Sequence, residues 1–155
     1  MSAPTTFDRP SAHRYFSAEC FNTAWDLIEK PRRTAEEDLD MLHRSLVALL
    51  HWTQRPDCTP TNRSIGFWQV SRVYSILGQE ENARRYGELC LAASQEPDVP
   101  PFYLAYAHEA LARAELLAGD IASVQEHLAE ARRCAQGVAD EEEKSALLKD
   151  VESVR

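Results

Sequence analysis

Apolar side chains recur along this chain at three- and four-residue steps in segment after segment, and no stretch shows the strict alternation of a half-buried strand. Phe21, Trp25 and Ile28 mark one stripe, and Leu42, Leu46, Leu49 and Thr53 mark a second beside Met41 and Leu50. The segment "FYLAYAHEALARAELLA" (102–118) is apolar nearly all round, the pattern of a helix enclosed by its neighbours. Leu147, Leu148, Val151 and Val154 give the last segment a single apolar side. An all-α fold is the expectation.

Polar punctuation separates these stripes. Residues 1–10 are polar, carry two prolines and read as a flexible N-terminal tail, leaving 11–155 as one helical domain. Ser11 is placed to cap a first helix, which "KPRR" ends. Thr34 with Glu37 forms a capping box for the second. After the loop "TQRPDCTP", Thr59 and Pro60 open the third, and Gly78 closes it. A fourth is expected over about 80–93, before "QEPDVPP" breaks the chain and Pro101 opens the fifth. Gly119 and Asp120 turn into a sixth over 121–138. Asp140 and Glu141 to Glu143 put negative charge where the macrodipole of a seventh begins.

Gly78 and Gly119 hold equivalent places. Seven and four residues upstream lie Ser71 and Tyr74 in one copy, Ala112 and Glu115 in the other. Five residues downstream lie Ala83 and Val124, and twelve downstream lie the small Cys90 and Ala131. "SRVYSILGQEENARRY" and "ARAELLAGDIASVQEHLAEA" thus resemble the tetratricopeptide-repeat family, whose unit is a helix–turn–helix of about 34 residues. The resemblance covers roughly residues 64–138. The departures are Glu115 in place of an aromatic, Gly87 in place of another, and a 41-residue spacing of the two glycines.

The resemblance implies stacked antiparallel helical hairpins, a right-handed superhelix and a C-terminal capping helix whose removal would leave the groove untouched. It also implies a groove lined by the first helix of each repeat, ten and six residues before the hinge glycine. Those positions are Trp68 and Arg72 in one repeat, Glu109 and Arg113 in the next, with Tyr106 and Ile65 extending the stripe. Two readings of this set stand side by side. In one, Trp68 and Arg72 form a strut, with Arg72 bridging to Glu109. In the other, Arg72 and Arg113 grip a carboxylate through their planar forks while Trp68 and Tyr106 supply apolar area.

Composition narrows the function classes. With 25 acidic against 17 basic residues the net charge is −8, which opposes attraction to nucleic acid and to anionic membranes. No apolar run is long enough to span a bilayer, and the start of the chain has no secretory pattern. Cys20, Cys58, Cys90 and Cys134 are scattered without a CxxC pair, as in a cytoplasmic protein, with Cys90 in the core and Cys58 the most exposed.

No cofactor or metal is expected. "HEALA" (108–112) is half of a zinc-protease motif, with Ala112 where the second histidine would stand. His43 and His51 lie eight residues apart, too far to share an ion directly. His13 and His127 read as surface residues, and His108 as a packed core or groove histidine. The leading expectation is a non-enzymatic interaction module that binds a peptide or protein partner in its groove. The alternatives are a small enzyme or small-molecule binder with a pocket around His108, Glu109 and Arg72, and a structural homo-oligomer, a homodimer being the simplest.

Overall fold

The computed structural model describes residues 7–155. Among them the chain forms seven helices and no strand: α1 (Arg9–Ile28), α2 (Ala35–Thr53), α3 (Pro60–Ile76), α4 (Glu80–Ser94), α5 (Pro101–Ala118), α6 (Ile121–Ala135) and α7 (Glu141–Glu152). Residues 1–6 of the expected tail lie outside the described residues, and Arg9 and Pro10 already belong to the first turn of α1. Asp8, not Ser11, is the N-cap: its carboxylate accepts the Ser11 N–H at 3.3 Å. Aspartate caps as well as serine does, and Pro10 sits in the one turn where its missing N–H costs nothing.

The other helix starts follow the sequence closely. Thr34 Oγ1 accepts from Glu37 N at 3.2 Å and Glu37 Oε2 accepts from Thr34 N at 3.0 Å. Thr59 and Asn62 make the same reciprocal pair at 3.2 and 3.0 Å. Asp140 accepts from Glu143 N at 2.9 Å. Gly78 (φ 71°) and Gly119 (φ 77°) both lie in the left-handed region. Each lets the next residue turn back, Gln79 N–H to Tyr74 O and Asp120 N–H to Glu115 O, both 3.0 Å. α6 stops at Ala135 rather than 138, because Gln136 and Gly137 turn the chain so that Val138 can enter the core.

Neighbouring helices pack most closely in pairs, α1 with α2, α3 with α4 and α5 with α6, while α2–α3 and α4–α5 contacts join the pairs. α7 lies on α5 and α6, where Leu147 and Val151 are fully buried against Ala105, Ala112, Val124 and Leu128. Small residues set the spacing. Ser71 is fully buried and its hydroxyl donates to Ala83 O at 2.8 Å. Gly87 stands where a Cβ would come within 2.8 Å of Leu111 Cδ2, so the absent aromatic is a requirement of close packing here.

The buried face of α2 is rotated from the expected one. Met41, Ser45, Ala48 and Leu49 are buried, whereas Leu50 is 57% exposed. Ser45 and Ala48 are small enough to admit a neighbouring helix, and Leu49 fills the space left by Gly66, whose Cβ would sit 2.9 Å from Leu49 Cδ1. No helix among the described residues is long and apolar enough to cross a membrane.

Candidate functional site

α1, α3 and α5 each present aromatic residues to one shared space. α1 brings Phe21 and Trp25, α3 brings Trp68, and α5 brings Phe102, Tyr103 and Tyr106. Together with Asn22, Ser64, Ile65 and Asp150 of α7 they line a cavity of about 350 Å³. The rings adjoin at steep angles: Trp68 meets Tyr106 at 74° with centroids 5.5 Å apart, and Phe102 meets Tyr106 at 72° and 5.0 Å. Trp25 lies 5.4 Å from Trp68. Edge-to-face neighbours of this kind are mutually attractive, and they hold the cavity wall open as a rigid frame.

Behind the aromatic wall a polar network fixes the frame. Glu109 is only 1% exposed, and its carboxylate accepts the Trp68 indole N–H at 3.0 Å and the Nε of Arg113. Arg113 in turn donates through Nη2 to Asp150 O at 3.3 Å and to Ser153 Oγ at 2.8 Å. Tyr106 donates its hydroxyl to Asp150 Oδ2 at 2.7 Å. Burial raises the Tyr106 pKa, helped by that hydrogen bond and the Asp150 charge, so the phenol stays a neutral donor.

Arg72 stands apart from this network. It is half-buried on the stripe that carries Ile65 and Trp68, yet it holds no hydrogen bond or ion pair among the described residues. Burial lowers its pKa, and the Arg113 guanidinium adds to the effect, against the weaker pull of Glu109 and Asp150. The structure therefore brings Trp68, Arg72, Tyr106, Glu109 and Arg113 together but divides their work. Arg113, not Arg72, bridges to Glu109.

Three further expectations are corrected. His108 does not join Glu109 and Arg72: it faces α6, with its Nδ1 3.1 Å from that of His127. His127 and His13 are part-buried rather than on the surface, and His13 Nδ1 lies 2.8 Å from His51 Nδ1. α7 is more than a cap, because Asp150 lines the cavity and Ser153 holds Arg113. Phe21, Trp25, Phe102, Tyr103 and Asp150 were missing from the sequence-based set. One signal was present: Trp25, Trp68 and Tyr106 recur at spacings of 43 and 38 residues, one on each of α1, α3 and α5.

The arrangement can hold a ligand. Among the described residues Ser64, the one serine on the wall, is paired with Ser94 Oγ at 2.7 Å, and no histidine lines the cavity. Comparison of the chain with protein-family models, with curated proteins and with solved structures returned no match.

Proposed function

We propose that this chain is a non-enzymatic interaction module of tetratricopeptide-like build, which holds a peptide or protein partner at the cavity shared by α1, α3, α5 and α7. The observation that carries the reading is that cavity: about 350 Å³, walled by six aromatic side chains and braced from behind by Glu109 and Arg113. Its volume falls within the range of about 300–1,000 Å³ of ordinary ligand sites, which are apolar with a few placed polar groups. An apolar side chain of the partner fills the space. A neighbouring carboxylate of the partner meets Arg72, whose planar fork has no acceptor among the described residues. Asp150, held by Tyr106, keeps one oxygen for a partner N–H. The four free thiols accord with a reducing compartment such as the cytoplasm.

Selection of peptides from a random library on the wild-type protein tests this. The enriched sequences should pair an aromatic or branched residue with an acidic one. They should lose binding to Ile65→Trp, which fills the cavity from α3. Peptides that bind Ile65→Trp as well as the wild type would place the site elsewhere.

A second reading has its own observation. The first hairpin leaves Tyr15 60%, Phe16 41%, Leu39 54% and Leu50 57% exposed, an apolar surface of the kind that pairs copies of a chain. Light scattering showing a monomer at high concentration would remove it.

A further inference from the structure

Where α5 packs on α6, a second group of functional side chains converges that the aromatic cavity does not use. His127, Glu130 and Cys134 follow one another on α6 at three- and four-residue steps, so they share a face. His108 approaches that face from α5. One donor atom from each of His108, Glu130 and Cys134 lies within 4.8 Å of the others. The fragment "HEALA" thus acquires the partners that its own helix lacks.

Each of the four side chains has bonding capacity left over. The His108 and His127 rings meet through Nδ1 at 3.1 Å, a contact that only one proton can occupy, and neither ring has another partner among the described residues. Glu130 takes both Arg133 contacts on Oε2, at 2.9 and 2.6 Å, which leaves Oε1 without a partner among the described residues. Cys134 is 6% exposed, and its sulfur makes no hydrogen bond among the described residues.

We propose that His108, Glu130 and Cys134, with His127 as the adjoining fourth donor, form a site for a borderline divalent cation of the zinc type. The donor chemistry selects the ion. Imidazole and thiolate are poor ligands for magnesium and calcium, whereas a mixed nitrogen, oxygen and sulfur set suits zinc and cobalt. Bonds of about 2.0–2.3 Å in a tetrahedral site require donors roughly 3.3–3.8 Å apart. The two histidines already stand close to that separation. Glu130, whose side chain is 45% exposed, can turn inward from the rim to complete the set. On binding, the Cys134 thiol gives its proton to solvent and the sulfur takes the metal.

The test is titration of reduced, chelator-treated protein with cobalt(II). The expected result is one equivalent bound, with a sulfur-to-cobalt charge-transfer band in the near ultraviolet that zinc displaces. Cys134→Ser should lose the near-ultraviolet band, and Cys58→Ser should keep it. His108→Ala and Glu130→Gln should each weaken cobalt binding by more than the roughly 10- to 100-fold that loss of an outer-shell partner costs. The two rim variants keep the test decisive if Cys134→Ser does not fold. The proposal is overturned by the absence of the band at one equivalent, by a band that survives Cys134→Ser, or by unchanged affinity in both rim variants.

Discussion

Arg72 and Arg113 both stand six residues before a left-handed glycine, and from the sequence alone they are interchangeable. Their surroundings make them opposites. Arg113 neutralises Glu109, which is 1% exposed, so Arg113→Met strands a buried carboxylate and should cost about 3–5 kcal/mol. Arg72→Met removes a half-buried charge that has no partner among the described residues, and it should leave stability unchanged or raise it. Urea unfolding of the two variants checks the order, and equal losses would contradict it. A second pair titrates. Arg84 donates twice to Glu115, at 2.6 and 2.9 Å, and holds the Glu115 carboxyl below its ordinary value. Above the ordinary glutamate pKa of about 4.3 the pair contributes fully, and its contribution is lost as the pH falls through the lower folded-state value. The stability gap between wild type and Glu115→Gln should therefore shrink on acidification from about pH 6 to about pH 3. A gap that stays constant would mean that the pair adds nothing.

Helices carry their own instructions at their ends, which is why the elements were legible in the sequence. The Thr34–Glu37 box, the Thr59–Pro60 start and both hinge glycines rest on neighbours within five residues of one another, and all of them form as read. The start of α1 was misplaced because Asp8 and Ser11 are both competent caps, and local chemistry does not rank them. The α2 face was misread for a different reason. Ser45 and Ala48 are buried for their smallness, and a pattern of large apolar residues gives small positions no weight. Gly78 offers a clean test at this scale, because a Cβ there would meet nothing within 4 Å. Any cost of substitution is conformational. Gly78→Val should lose about 1–2 kcal/mol, and Gly78→Asn distinctly less, since asparagine tolerates the left-handed region. Equal melting temperatures for the two variants would refute that account.

Across the whole molecule, the site depends on contacts that no local pattern encodes. Tyr106 and Asp150 are 44 residues apart, and Arg113 and Ser153 are 40 apart, so the role of α7 emerges only when it folds onto α5. The stripe of Trp68, Tyr106, Glu109 and Arg113 was readable because it follows the repeat spacing. The opposite wall, Phe21 and Trp25, looked like ordinary core of the first hairpin. Truncation after Ala139 therefore has two consequences. It strips Leu147 and Val151 from the α5–α6 core, which should produce aggregates in size-exclusion chromatography, and it removes Asp150 from the cavity. A truncated protein that stays monomeric and retains partner binding would contradict both.

On this reading the partner sits in the aromatic cavity and reaches Arg72, one turn beyond Trp68 on α3. The most direct test is the dissociation constant of a library-selected peptide for folded Arg72→Met beside the wild type. A charge-assisted contact of about 1.5–3 kcal/mol predicts a loss of roughly 10- to 150-fold. An unchanged constant in the folded variant would show that the partner's carboxylate does not meet Arg72.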